Sequence, residues 1–129
     1  MPTVLIVDDD PSHLKIYSWI VERGGYRTVP VLAWAQPLAI PETESIDLAL
    51  VDYRLGESVS APVVAKQVRS AFPAAPILVL SDMMYMPEDM APHATAFVRK
   101  GNPEQLLQTL DSYLKPGSAV ASDAKEPAA

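Results

Sequence analysis

A chain of 129 residues, 49% hydrophobic and 20% charged, fits one domain around one core, and its composition is that of a packed protein rather than a disordered one. It has no cysteine, which excludes a disulfide framework, a thiolate metal site and a cysteine nucleophile. Ten basic residues against sixteen acidic ones leave a net charge of -6, which opposes direct attraction to nucleic acid or an anionic membrane.

The N-terminus MPTVLIVDDD lacks the basic region of an export signal, and no apolar run approaches the ~20 residues of a membrane span. An unexported, cytoplasmic protein is expected, and any DNA-directed effect would need another chain. Five apolar runs of strand length follow one another: Thr3 to Val7, Thr28 to Leu32, Ile46 to Val51, Ile77 to Leu80 and Ala96 to Val98. Three of them (VLIV, LALV, ILVL) are nearly unbroken, the pattern of central parallel strands covered on both faces. Pro30 cannot donate to a ladder and places the second run at an edge, which a 2-1-3-4-5 order satisfies.

Helical signals fill the connections. Asp10 is placed as N-cap and Pro11 as the first helical residue, with Leu14, Tyr17, Ile20 and Val21 recurring until Gly24-Gly25. The second connection carries Pro37 and Pro41, so its helix is expected to be short or broken. Pro62 opens a third helix with Val63, Val64, Val68 and Phe72 on its apolar face, stopped by Pro73 and Pro76. In the fourth connection Pro87 can start a helix that Pro92 limits to little more than one turn. The last helix takes Asn102 as N-cap, Pro103 at the first position and Gln105 at the capping-box position, and buries Leu106, Leu107, Leu110 and Leu114. Residues 116 to 129 have no periodicity and are expected to be a disordered tail, leaving one domain over residues 1 to 115.

Alternating strands and helices imply an open, single α/β sheet of flavodoxin-like, doubly wound (βα)5 form, in which ligands bind beyond the carboxyl ends of the strands. Asp8, Asp9 and Asp10 stand at that end of the first strand, Asp52 at the third, Ser81 and Asp82 at the fourth, and Lys100 at the fifth. With the first and third strands adjacent, carboxylates near 4 Å apart repel by ~4 kcal/mol at an effective dielectric of 20. Oxygen ligands suit Mg²⁺ as one compensating cation, and Lys100 supplies another.

The set Asp8-Asp9, Asp52, Ser81 and Lys100 resembles the receiver domain of two-component response regulators over about residues 3 to 115. The resemblance implies that Asp52 accepts a phosphoryl group from a histidine kinase, a phosphotransfer protein or a small donor. It further implies that Asp9 and Asp52 bind Mg²⁺ directly, that Asp8 supports the ion, and that the backbone carbonyl of Arg54 completes the protein ligands. Lys100 would pair with a phosphoryl oxygen, Ser81 would supply the switch hydroxyl and Phe97 the switch aromatic. Output to a downstream effector is expected through helix four, strand five and helix five, along with a weak or phosphorylation-dependent homodimer.

Several residues also have plainer readings: Asp10 as a cap, Ser81 as a strand-end hydroxyl, Phe97 as core, His13 and His93 as surface residues without a role. Met83, Met84, Met86 and Met90 read as packing under a short helix or as an adaptable partner surface. The chain departs from the family where Asp82 replaces a small residue and Gly101 replaces a proline, and in the loop YRLGESVSAP, which lacks the usual Met-Pro and Asp-Gly elements. Two rivals stand beside the phosphoacceptor reading. One is a pseudo-receiver, an interaction module that is not phosphorylated. The other is a haloacid-dehalogenase-type phosphatase using Asp8 and Asp10 as its Asp-x-Asp motif, although Ser12 stands where that motif wants Thr or Val.

Overall fold

The structure, a computed structural model, describes residues 1–34, 37–41, 45–56 and 59–115; the expected tail lies outside them. Three strands are buried along their whole length, β1 (Thr3–Asp8), β3 (Leu48–Asp52) and β4 (Ile77–Ser81). That is why their sequences are unbroken apolar runs rather than alternating ones. β2 (Arg27–Leu32) alternates between buried and more accessible positions, and β5 (Ala96–Arg99) is only partly covered. All five pair in parallel in the order β2-β1-β3-β4-β5. Pro30 sits on the edge strand opposite Ile6, where a missing N–H costs no ladder bond.

Helices cover both faces. α1 (Pro11–Arg23) and α3 (Pro103–Leu114) pack Leu14, Val21, Leu106 and Leu110 onto Val4, Ile6, Leu48, Leu50, Leu78 and Leu80. α2 (Ala61–Ala71) packs Val64, Ala65 and Val68 onto Leu5, Val7, Ala49, Val51, Ile77 and Val79. Each fully buried leucine in these layers stabilises the fold by roughly 2 kcal/mol. The caps form as expected: Asp10 accepts from the Ser12 N–H at 2.8 Å and Asn102 from the Gln105 N–H at 3.0 Å. At the far end of the α1–α3 layer the buried Tyr26 hydroxyl donates to Asp111, and Lys115 lies over the Tyr26 ring.

Among the described residues the second and fourth connections carry no helix. In the fourth, the one-turn helix expected after Pro87 is reduced to turns, in which Met90 and Ala91 N–H donate to the Pro87 carbonyl and His93 and Ala94 N–H to that of Met90. Proline at both ends of this stretch removes the donors and the room a continued helix needs. The face expected to present helix four therefore presents a turn-rich segment. The methionines divide: Met90 is fully buried in the α2-side core and Met86 packs against it, whereas Met83 and Met84 are exposed.

Candidate functional site

The apolar runs end together at one edge of the sheet, so the polar residues that follow them meet there. Asp8 closes β1, Asp52 closes β3 and Ser81 closes β4; all three are buried. Lys100 follows β5, its N–H bonded to the Ser81 carbonyl at 2.8 Å. That bond holds the lysine stem over the site, and its ammonium reaches Asp52 Oδ1 at 2.9 Å. Gly101 then turns the chain with φ 88°, a conformation closed to proline, whose ring holds φ near −65°.

Asp52 Oδ1 also accepts from the Arg54 N–H at 3.3 Å. Asp8 Oδ1 accepts from the Asp10 N–H at 3.0 Å, but Asp8 Oδ2 is buried with no hydrogen-bond partner among the described residues. Burial, opposed by the Asp10 N–H and reinforced by the charge of Asp52, pushes the Asp8 carboxyl up to about 7. At Lys100, burial works against the ammonium, yet the hydrogen bond and charge of Asp52 prevail and hold its pKa above the ordinary value. Tyr17, half-buried on α1, is raised by burial and senses Lys100, Asp52 and Asp8.

The site residues expected from the sequence are not all brought to one point. Asp8, Asp52, Ser81 and Lys100 line the carboxyl edge, and Asp9 stands between them and the loop beyond β3: its side chain reaches the Asp8 carboxyl and its Oδ2 is 3.5 Å from where a Cβ on Gly56 would lie. Gly56 itself has φ 84°, a turn that favours glycine. The Ser81 hydroxyl accepts from the Met83 N–H at 3.1 Å. Phe97 is half-buried on β5, level with Val79. Asp82 pairs with Arg54, Nε to Oδ1 at 3.2 Å, and both side chains are exposed.

His13, read from the sequence as a surface residue without a role, lies with Nδ1 3.7 Å from Asp8 Oδ2 and Nε2 3.7 Å from Asp10 Oδ2. Asp8, His13 and Asp52 each place a ligand atom within 4.8 Å of the others, the one such group among the described residues. Five positions separate Asp8 from His13, which is no ligand spacing within a single element. The pairing arises because α1 starts at once after β1 and turns its first exposed face back over the strand end.

Two buried carboxylates, one with an unsatisfied oxygen and a disfavoured charge, fit a divalent cation held by oxygen ligands. A family profile for the response regulator receiver domain matches residues 4–111. The chain belongs to that family. This receiver domain is 28% identical over 124 residues to the transcriptional regulatory protein GlrR of Escherichia coli strain K12, covering 93% of this chain and 28% of that one. It is 39% identical over 57 residues to the heme response regulator HssR of Staphylococcus saprophyticus, covering 44% and 25%. The receiver chain thus spans about a quarter of the length of these relatives. Among solved structures it is similar to the chemotaxis response regulator CheY4 of Vibrio cholerae, with TM-score 0.72, 28% identity and coverage of 88% and 99%. A two-component response regulator from Clostridium difficile shares the fold at TM-score 0.72 and 17% identity, covering 90% and 98%. No helix among the described residues is long and apolar enough to cross a membrane.

Proposed function

We propose that this receiver takes a phosphoryl group on Asp52 from the phosphohistidine of a cytoplasmic kinase or phosphotransfer protein and passes the change to a downstream effector. The observation that carries this is the buried Asp52–Lys100 pair at 2.9 Å beside the unsatisfied Asp8 Oδ2. Both contacts of Asp52 fall on Oδ1, so Oδ2 is the oxygen placed to attack. The new P–O bond forms as the P–N bond of the donor imidazole breaks, and the leaving nitrogen takes up a proton.

Asp8 and Asp52, with Asp9 and the Arg54 carbonyl as further oxygen donors, would hold Mg²⁺. When bound, that ion neutralises the charge spread over the transferring oxygens. Lys100 exchanges its Asp52 contact for a phosphoryl oxygen, so its charge follows the developing negative charge. Ser81 already accepts a hydrogen bond from Met83 N–H, which leaves its proton to donate to the phosphoryl group. Drawing Ser81 inward pulls on the 82–95 segment and on β5, which carries the half-buried Phe97. A preference for one of two arrangements is all that a switch requires.

The pseudo-receiver reading is favoured by one observation, the Arg54–Asp82 pair across the rim, which sets a carboxylate near the approach of any phosphodonor. The phosphatase reading is disfavoured, because burial holds the Asp8 carboxyl at about 7, so that about half of it is protonated at neutral pH and unable to attack. Incubation with Mg²⁺ and either acetyl phosphate or a phosphorylated histidine kinase, read by intact mass, should give one phosphoryl adduct that Asp52→Asn abolishes. No adduct from any donor sinks the phosphoacceptor claim and leaves the pseudo-receiver.

A further inference from the structure

The acidic edge has one member that an oxygen-only Mg²⁺ site does not need. Asp8 Oδ2 is buried and without a hydrogen-bond partner among the described residues, and the imidazole Nδ1 of His13 stands 3.7 Å from it. Nδ1 of that ring faces the Asp8–Asp52 pair and Nε2 faces the carboxylate of Asp10 at 3.7 Å. Imidazole ligands of metals commonly have this arrangement, one nitrogen toward the ion and the other toward an orienting carboxylate. The ligand atoms of Asp8, His13 and Asp52 lie within 4.8 Å of one another. Ligands of one ion at about 2.1 Å stand up to roughly 4.2 Å apart, close to this spacing.

We propose that His13 is a third protein ligand beside Asp8 and Asp52, and that this edge therefore takes imidazole-preferring divalent transition ions more tightly than Mg²⁺. One nitrogen and two carboxylate oxygens suit ions such as Ni²⁺ or Zn²⁺, whose affinity for mixed donors exceeds that of oxygen-seeking Mg²⁺. The inference deepens the metal-site reading given above and rests on it, but not on phosphorylation of Asp52. Asp10 acts as a positioning residue: it caps α1 through the Ser12 N–H and faces the ring on its other side.

The test is calorimetric titration of the untagged chain at pH 7.5 with Ni²⁺ and, separately, Mg²⁺, for the native protein and for His13→Gln, His93→Gln and Asp8→Asn. The native chain should bind Ni²⁺ more tightly than Mg²⁺. His13→Gln should weaken Ni²⁺ by about tenfold or more while Mg²⁺ changes less than about twofold, and Asp8→Asn should weaken both. His93→Gln should leave both unchanged. Paramagnetic broadening by Ni²⁺ should centre on His13 and the end of β1. Unaltered Ni²⁺ affinity in His13→Gln overturns the proposal, and so does unaltered Ni²⁺ affinity in Asp8→Asn, which would mean a surface histidine acting alone. Because His13 is half-exposed its replacement spares the core, and His13→Asn serves as a second variant. Phosphoryl labelling with Mg²⁺ is scored independently, so an unlabelled chain that still shows the His13-dependent Ni²⁺ site defeats only the phosphoacceptor reading.

Discussion

Replacing Asp8 by Asn should make the metal-free protein more stable, by an amount that depends on pH. A carboxyl held at about 7 in place of 3.8 corresponds to about 4 kcal/mol as an upper bound, at 1.36 kcal/mol for each tenfold change in proton affinity. The folded state keeps a proton that the unfolded chain releases above pH 4. Stability contributed by this group is therefore fully present below the ordinary carboxylate pKa and is lost as pH rises toward 7. Asn preserves the shape, still accepts from the Asp10 N–H and carries no charge to desolvate. In urea unfolding with chelator present, the variant should gain almost nothing at pH 4 and several kcal/mol at pH 8. Millimolar Mg²⁺ should narrow the difference by stabilising the chain that keeps Asp8, because binding to the folded state adds stability. A variant that is neutral or weaker at pH 8 in chelator, or a difference that does not change with pH, would refute the account of Asp8 as a carboxylate short of a cation.

Asp82→Ala should speed labelling by acetyl phosphate about threefold, since it removes one exposed carboxylate and frees Arg54 to meet the donor; equal or slower uptake by mass spectrometry counts against this. Gly101→Ala should cost about 1–2 kcal/mol through its left-handed φ, and Gly101→Pro more, with a visible drop in melting temperature. Tyr26→Phe should cost about 1–2 kcal/mol in urea unfolding by removing the buried hydroxyl that Asp111 accepts. Burial and the Asp111 contact raise the Tyr26 phenol, so native stability should also fall as pH climbs past 10, and the variant should lose that dependence.

Much of the architecture was legible in the sequence because a parallel sheet covered on both faces leaves little freedom. VLIV, LALV and ILVL had to be interior strands, Pro30 had to lie on an edge, and the residues ending those runs had to share one rim. The caps at Asp10 and Asn102 were legible for a local reason, since the side-chain acceptor and the N–H donor lie within three residues. Contacts assembled from distant segments were not. Arg54 and Asp82 are separated by 28 positions, and neither spacing nor composition announces that the carboxylate pairs with that guanidinium. His13 escaped notice because its partner lies across a strand-to-helix junction, where neither the helical nor the strand period applies. In the fourth connection the proline signal was read correctly as a limit on helix length, but two successive turns, on the Pro87 and Met90 carbonyls, stand where a short helix was expected.

The helices shield the sheet unevenly. On one side the turn that follows α1 is tied to α3 by Tyr26 and Asp111; on the other α2 stands beside proline-rich connections closed by Met90. A rearrangement begun at the strand ends meets a stiff wall on the first side. On the second side, moving the chain breaks a few turn bonds rather than a helix. The yielding segment starts next to Ser81 and ends at Thr95, which is fastened to Ile77 twice, N–H to carbonyl at 2.7 Å and hydroxyl accepting the Ile77 N–H at 3.0 Å. One end is thus moored to the base of the sheet and the other to the phosphate edge, so a pull of a few tenths of an ångström at Ser81 has a fixed point to act against and a defined stretch of surface to reshape.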